Sequence, residues 1–481
     1  MKKRILTAVL SVAMIASLAA CNTAGDTTAT TTAPAAGGGD ATTAAGDAAT
    51  PATPDAATPA GDKTVLNVMS FTVEVPDMFK KYFEVYPERA AQYELNTTII
   101  ATTDGAYEPA LDQALVSGGT AVPDLYCAEI AFVLKYTKGD MSAYAAPYKD
   151  LGIDVDALIS AGDIAQYTVD LGTNTNGDLV GLGYQSAGGA FIYRSSLAID
   201  TWGTDDPATI ASKIGPGWDK FLGAAAELKA KGYGIVSGDG DAWHAIENSS
   251  SSPWIVDGKL TISPERDAFF ELSKQLKDGG YHNDTTDWTD AWYADMQGIG
   301  AQPIFGFFGP AWLINYVMAG NSGGSAPGEG TYGDWRVCEP TQGFFWGGTW
   351  LLASKDSPNK EAIGDFIEWV TLDTSDTGLQ YFWANGSGGI NATGTKDAVS
   401  SGVVMAKSDG TMDFLGGQNM FDVFVPATAF AKGDTLTQYD QTINGYFRDA
   451  VRQYTAGTLT KDEALAQFKQ QVADNLDVVV E

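Results

Sequence analysis

Short apolar runs alternate along this chain with amphipathic stretches of helical period. Residues 65–71, with Val65, Leu66, Val68, Met69 and Phe71, read as a strand. Pro76 opens a helix whose stripe is Met78, Phe79, Tyr82, Phe83 and Tyr86, and Pro87 is expected to end it. A β-branched strand is predicted over 97–101, then a helix with Ala110, Leu111, Ala114 and Leu115 that stops at Gly118-Gly119, then a third strand over 124–128. Strand, helix, strand, helix, strand predicts a parallel sheet with helices on its faces. Ligands of such sheets bind beyond the C-terminal ends of the strands, which places residues 71–74, 103–106 and 127–130 on one rim.

The pattern changes at the glycine-rich stretch 181–189, which leads into a new strand, 190–194, and reads as a crossing between two lobes. Beyond it lies a helix over 218–231 carrying Trp218, Phe221, Leu222, Ala225 and Leu228, stopped by Gly232. A strand is expected over 233–237, with Trp243 and His244 just after it, then helices over 266–277 and 288–297. An apolar strand over 303–308 ends in Gly309-Pro310-Ala311-Trp312. The densest chemistry follows: a strand in 333–340, a loop, Phe344, Phe345, Trp346, Gly347, Gly348, Thr349 and Trp350, and a helix over 357–370 with Ser357 at its N-cap. Glycines let a ligand approach the backbone and indole rings offer flat apolar faces, so this is binding-site chemistry, although core packing accounts for any one of these rings equally well. The C-terminal part is helical, with a stripe of Ile443, Tyr446, Phe447, Ala450, Val451 and Tyr454, a break at Gly457, and a capping box over 460–463 opening the last helix.

Composition narrows the partners. The 481 residues, 44% apolar, are enough for two or three domains. The net charge of −31 becomes −34 once the three cations Lys2, Lys3 and Arg4 are removed. Such a surface repels nucleic acid and anionic lipid. Cys21, Cys127 and Cys338 are too few and too widely spaced for a disulfide framework or a zinc site, and no cofactor or metal is expected. The start of the chain is basic, residues 5–20 are apolar but short for a bilayer span, and they end in Leu18-Ala19-Ala20-Cys21. This resembles a bacterial lipoprotein signal, which implies a leader over 1–20 and lipidation of Cys21. Residues 22–62 carry no aromatic or large aliphatic side chain and are expected to form a flexible tether.

Several stretches together resemble the extracellular solute-binding proteins of ABC sugar importers, the group that includes maltose-binding protein. They are Val122-Pro123-Asp124-Leu125, residues 181–194, 218–232, 305–312 and 333–337, Ser357-Pro358-Asn359-Lys360-Glu361-Ala362, and residues 457–465. The resemblance implies an α/β fold of the two-lobed periplasmic-binding-protein type (type II), with discontinuous lobes joined by a hinge. The first lobe would hold residues 63–185 and 345–425, the second 186–343 and 426–481. It further implies a carbohydrate ligand, an oligosaccharide in kind, delivered by a monomeric, lipid-anchored receptor to an ABC permease on the outer face of a Gram-positive cell membrane. The family's ligand contacts map by position onto Glu74, Glu129, Tyr184, Gln185, Trp243, Trp312, Trp346, Gly347 and Tyr446. Residues 239–252 and 374–420 depart from the family pattern.

Other chemistries leave weaker traces. Gly320-Asn321-Ser322-Gly323-Gly324 matches a bare nucleophile pattern but sits in a Gly/Ser loop with no helix after it, and only His244 and His282 are available as bases. Residues 328–333 match a dinucleotide fingerprint yet precede a strand. Asp284, Asp287, Asp290 and Asp295 suggest calcium or a glycosidase pair, but acids at a helix start explain most of them. A lipoprotein glycoside hydrolase is therefore the alternative to a receptor.

Overall fold

The computed structural model describes residues 63–102, 105–119, 122–387 and 396–481. The leader, Cys21, the tether, and Thr103 and Asp104 of the expected rim lie outside the described residues. The strands that organise the body are β1 (Thr64–Ser70), β2 (Tyr93–Ile99), β3 (Leu125–Glu129), β4 (Gly181–Gly183), β5 (Gly189–Arg194), β6 (Gly306–Pro310), β7 (Trp335–Cys338) and β8 (Thr349–Ala353). They form two sheets, ordered β2-β1-β3-β8-β4 and β6-β5-β7. The fold is thus α/β and two-lobed.

In the first sheet β1 runs parallel to β2 and β3, as the alternating pattern predicts. β8 enters from far along the sequence and lies antiparallel between β3 and β4, with Leu351 opposite Cys127 and Leu182. Nothing local encodes that neighbour. Leu66 and Val68 of β1 point inward against the helix Glu74–Val85, whose stripe of Met78, Phe79 and Tyr82 is buried. Phe79 stacks on Phe366 of the helix Lys360–Thr371, ring centroids 3.4 Å apart and planes 7° from parallel. Each ring so buried stabilises the fold by roughly 1.5–3 kcal/mol.

The first helix ends at Val85, just before Pro87 as expected, and Pro87 then starts a second short helix, Pro87–Gln92, because its fixed φ and missing N–H suit a first helical position. Two local expectations are corrected. β2 begins at Tyr93, earlier than the β-branched run alone suggests. Residues 233–237 form no ladder: Gly234 makes one parallel bridge to Ile304, and the backbone around it bonds Pro303, Phe305 and Tyr281. The last helix starts as expected, with the Thr460 hydroxyl accepting from the Glu463 N–H and the Glu463 carboxylate accepting from the Thr460 N–H at 2.9 Å.

The chain passes from the first sheet to the second over residues 184–188 and returns over 339–348. The two crossings touch: Gly188 bridges Phe345, and the Trp346 N–H donates to the Ala187 carbonyl at 3.1 Å. A third segment packs beside them, where the Ser186 and Thr428 hydroxyls lie 2.5 Å apart and a Cβ on Gly188 would stand 2.5 Å from the Ala427 backbone. Glycine is needed there for close backbone approach. Residues 411–419, grouped by sequence with the first lobe, attach to the second sheet. The Gln418 side chain bonds both the N–H and the carbonyl of Val337 at 2.8 Å, and Phe414 stacks on Trp335. Cys127 lies in β3 and Cys338 in β7, both buried and unpaired, and burial pushes the Cys127 thiol up to about 12. Among the described residues no helix is long and apolar enough to cross a membrane.

Candidate binding cleft between the sheets

Strand ends and helix starts from both sheets converge on Trp346, in the return crossing. Its carbonyl accepts from the Trp312 indole N–H at 3.0 Å, and the two rings lie 4.8 Å apart at 59°. Gly347 makes this contact possible: its φ is +74°, and a Cβ there would come within 2.9 Å of the Trp312 indole. The other side of Trp346 is covered by His244, whose ring stacks at 3.5 Å and 14°. Trp288 completes the group, nearly parallel to Trp312 at 6.2 Å and edge-on to Trp346 at 6.3 Å.

Trp288 is unusual in two respects. Its backbone has φ of +64° and its side chain is 41% exposed. A bulky residue in the left-handed region is an outlier that costs on the order of 1–3 kcal/mol and persists only where the surroundings fix it. The fixing partner is its neighbour Asp287, which bonds His244 Nε2 at 3.0 Å, while His244 Nδ1 lies 3.1 Å from Glu247. Burial alone disfavours the imidazolium, but these two carboxylates outweigh it and bring His244 up to about 9, and His244 in turn holds Asp287 below the usual carboxylate range.

Beside Trp346 opens a cavity of about 400 Å³, part of it open to solvent. Glu129, Ile130 and Ala131 line it from the end of β3; Glu247 and Asn248, with Thr437, Asp440 and Asn444, line it from the opposite side. Glu129 is the last residue of β3, and its carboxylate accepts from the Ala131 N–H at 2.8 Å. Burial, reinforced by nearby Glu247, pushes it up to about 7. Glu74, the first residue of the helix after β1, is pushed up to about 8 by burial and then by Asp397 and Asp77. It also lies close enough to Tyr316, which follows β6, to raise that phenol.

The structure sorts the residues expected from sequence. Trp312, Trp346 and Gly347 belong to the aromatic group, Glu129 and Trp346 line the cavity, and Glu74 lies near Tyr316. Gln185 is buried and its amide donates to Asp397 at 3.0 Å. Tyr184 is fully buried, edge-on to Trp383. Trp243 is a core residue, correcting its expected place in the cleft: it packs on Phe269 and Phe447, 3% exposed. The expected strand and loop at 233–244 is in fact the helix Asp239–Glu247, and its turn aims Trp243 inward and His244 at Trp346. Tyr446 packs against the second core and does not line the cavity; Asp440 and Asn444, on the same helix Asp440–Thr455, do. His244 and Glu247 sit three apart on one helix face, a spacing visible in the sequence but inside a stretch that departs from the family pattern.

The Ser322 hydroxyl is spent on the carbonyls of Ala319 and Gly324. Asp287 holds His244 while Asp295 bonds Ser237 and Asn283, so the acids of 284–295 do not converge. Among the described residues none group as metal ligands.

The sequence model of the bacterial extracellular solute-binding proteins matches residues 75–376, well over half of the chain. The chain belongs to this family. Several solved structures resemble this solute-binding protein over most of its length. One is the galacto-N-biose-/lacto-N-biose I-binding protein of the ABC transporter from Bifidobacterium longum, in complex with lacto-N-biose. The two are 16% identical with a TM-score of 0.65, over 88% of this chain and 100% of that one. A second, the ABC transporter associated binding protein from B. animalis subsp. lactis with beta-1,6-galactobiose, is 20% identical with a TM-score of 0.60, over 86% and 97%. A third, the cyclic alpha-maltosyl-1,6-maltose binding protein from Arthrobacter globiformis, is 15% identical with a TM-score of 0.58, over 86% and 98%. At these identities the likeness is one of fold. No curated protein sequence matches. The family places the solute-binding protein outside the cytoplasm.

Proposed function

We propose that this solute-binding protein is a lipid-anchored carbohydrate receptor, held to the membrane through Cys21 and the tether, which captures an oligosaccharide between its lobes and hands it to an ABC importer without chemical change. One observation carries the reading: Trp312, Trp346 and Trp288 form an aromatic wall beside carboxylates contributed from both sheets. A sugar ring has an apolar face of C–H groups and a belt of hydroxyls, and this wall and these acceptors suit the two. Each stacked ring contributes roughly 1 kcal/mol beyond area burial, and each buried charged hydrogen bond roughly 1.5–3 kcal/mol. Two or three of each reach the ~8 kcal/mol of micromolar affinity. Ligand bound in the cleft touches both lobes only when they close, so closure follows as a population shift. The ligands of the three similar proteins are all saccharides, which favours this class over others.

Titration calorimetry of the purified body against a panel of di- to tetrasaccharides, with product analysis of the same mixtures, tests the proposal. Heat of binding without turnover supports the receptor; release of shorter sugars supports the hydrolase; absence of both across the panel removes carbohydrate as the ligand.

A further inference from the structure

The cavity beside Trp346 has an unbalanced charge. Glu129 approaches from the end of β3, and Glu247 and Asp440 approach from the other side. Glu247 repels both of the others: it adds to the burial that raises Glu129, and Asp440, for which burial is the larger cause, rises to about 6. Among the described residues no lysine or arginine forms an ion pair with any of them, and the imidazole on Glu247 is shared with Asp287. Arg266 draws Asp440 at longer range, but its guanidinium donates to the carbonyls of Ser252 and Glu247 and lies over the Trp254 ring. A second observation comes from Asp440 itself. Its Oδ1 accepts from the Thr437 N–H at 3.1 Å, whereas Oδ2, in a residue that lines the cavity and is 4% exposed, is buried without any partner. A buried carboxylate oxygen left without a donor is costly, and a donor supplied by a ligand removes that cost.

Resting on the carbohydrate-receptor reading, we propose that this end of the cleft takes a protonated amine, so that the ligand is an amino sugar with a free ammonium group. An ammonium group supplies a donor to the unpartnered Asp440 Oδ2 and a positive charge among three carboxylates of which only Glu247 is engaged directly by a cationic side chain, His244, and that charge offsets the repulsion from Glu247 as the lobes close. A hydroxyl supplies one donor and no charge. Trp346, in the same cavity wall, offers its indole to the ring that bears the ammonium group.

The test is calorimetry on the purified chain with two matched sets of β-1,4-linked trimers: glucosamine, N-acetylglucosamine and glucose, and galactosamine, N-acetylgalactosamine and galactose. In at least one set the free amine is expected to bind tenfold or more tightly than its acetylated and neutral counterparts. Asp440→Asn and Glu247→Gln should each shrink that preference to below threefold; if Asp440→Asn fails to fold, Glu129→Gln takes its place. Neutral or acetylated trimers binding as tightly as the amines would overturn the inference while leaving the receptor standing. Failure of all six trimers to bind at millimolar concentration overturns the inference, and the receptor is then judged on the wider saccharide panel.

Discussion

The His244 imidazole lies face to face with the Trp346 indole, ring centroids 3.5 Å apart, although one comes from the helix Asp239–Glu247 and the other from the crossing that returns to the first sheet. Two carboxylates clamp the imidazole, so the ring beneath Trp346 is both fixed and cationic. Trp346 is thereby held at a set angle for whatever stacks beside it.

Loss of that support has a measurable pH dependence. With its pKa at about 9 in the folded chain and near 6.5 when unfolded, His244 binds its proton more tightly in the native state. The stabilisation is complete below pH 6.5 and disappears as the pH rises through 9, by on the order of 1–3 kcal/mol. His244→Gln is expected to flatten the decline of Tm between pH 6.5 and 9 and to weaken saccharide binding about tenfold. An unchanged slope would show that the imidazole is not charged in the fold.

Glu74 works in the opposite sense. The folded chain keeps its proton up to about pH 8, whereas the unfolded carboxyl gives it up near 4.5, so its burial destabilises the protein progressively across that window. Glu74→Gln should raise stability at pH 8 by roughly 1–3 kcal/mol and lower ligand affinity, a pairing expected of a group retained for binding. Chemical denaturation at pH 5 and pH 8 reads the first effect and calorimetry the second.

Trp288 separates strain from contact. Trp288→Gly removes both the ring and the conformational penalty at φ of +64°, while Trp288→Ala removes only the ring. The glycine variant is expected to be about 1 kcal/mol more stable than the alanine variant, with both losing tenfold or more in ligand affinity. Equal affinity to the parent in both variants would place Trp288 outside the site.

Trp346→Ala and Trp312→Ala are each expected to weaken saccharide binding by more than tenfold with the fold intact by circular dichroism. Gly347→Ala should do nearly as much without removing any ring, because its Cβ would press on the Trp312 indole from a backbone that disfavours side chains; a stability loss of roughly 1–3 kcal/mol should accompany it.

Periodicity and punctuation in the sequence determine the elements whose burial is local. The stripe of Met78, Phe79 and Tyr82, the crossing near Gly188 and the capping box at Thr460 follow from residues within a few turns of one another. The order of motifs along the chain also suffices to suggest the family and, through strand ends, to point to Glu74, Glu129, Trp312 and Trp346 as candidates. Tertiary structure alone decides what depends on long-range packing. β8 joins the first sheet across more than two hundred residues, helix phase turns Trp243 into the core and its neighbour His244 outward, and Gln418 seats residues 411–419 on the second sheet. Those outcomes rest on which apolar surface finds a partner, and a side chain carries no record of the partner that another part of the chain will bring to it.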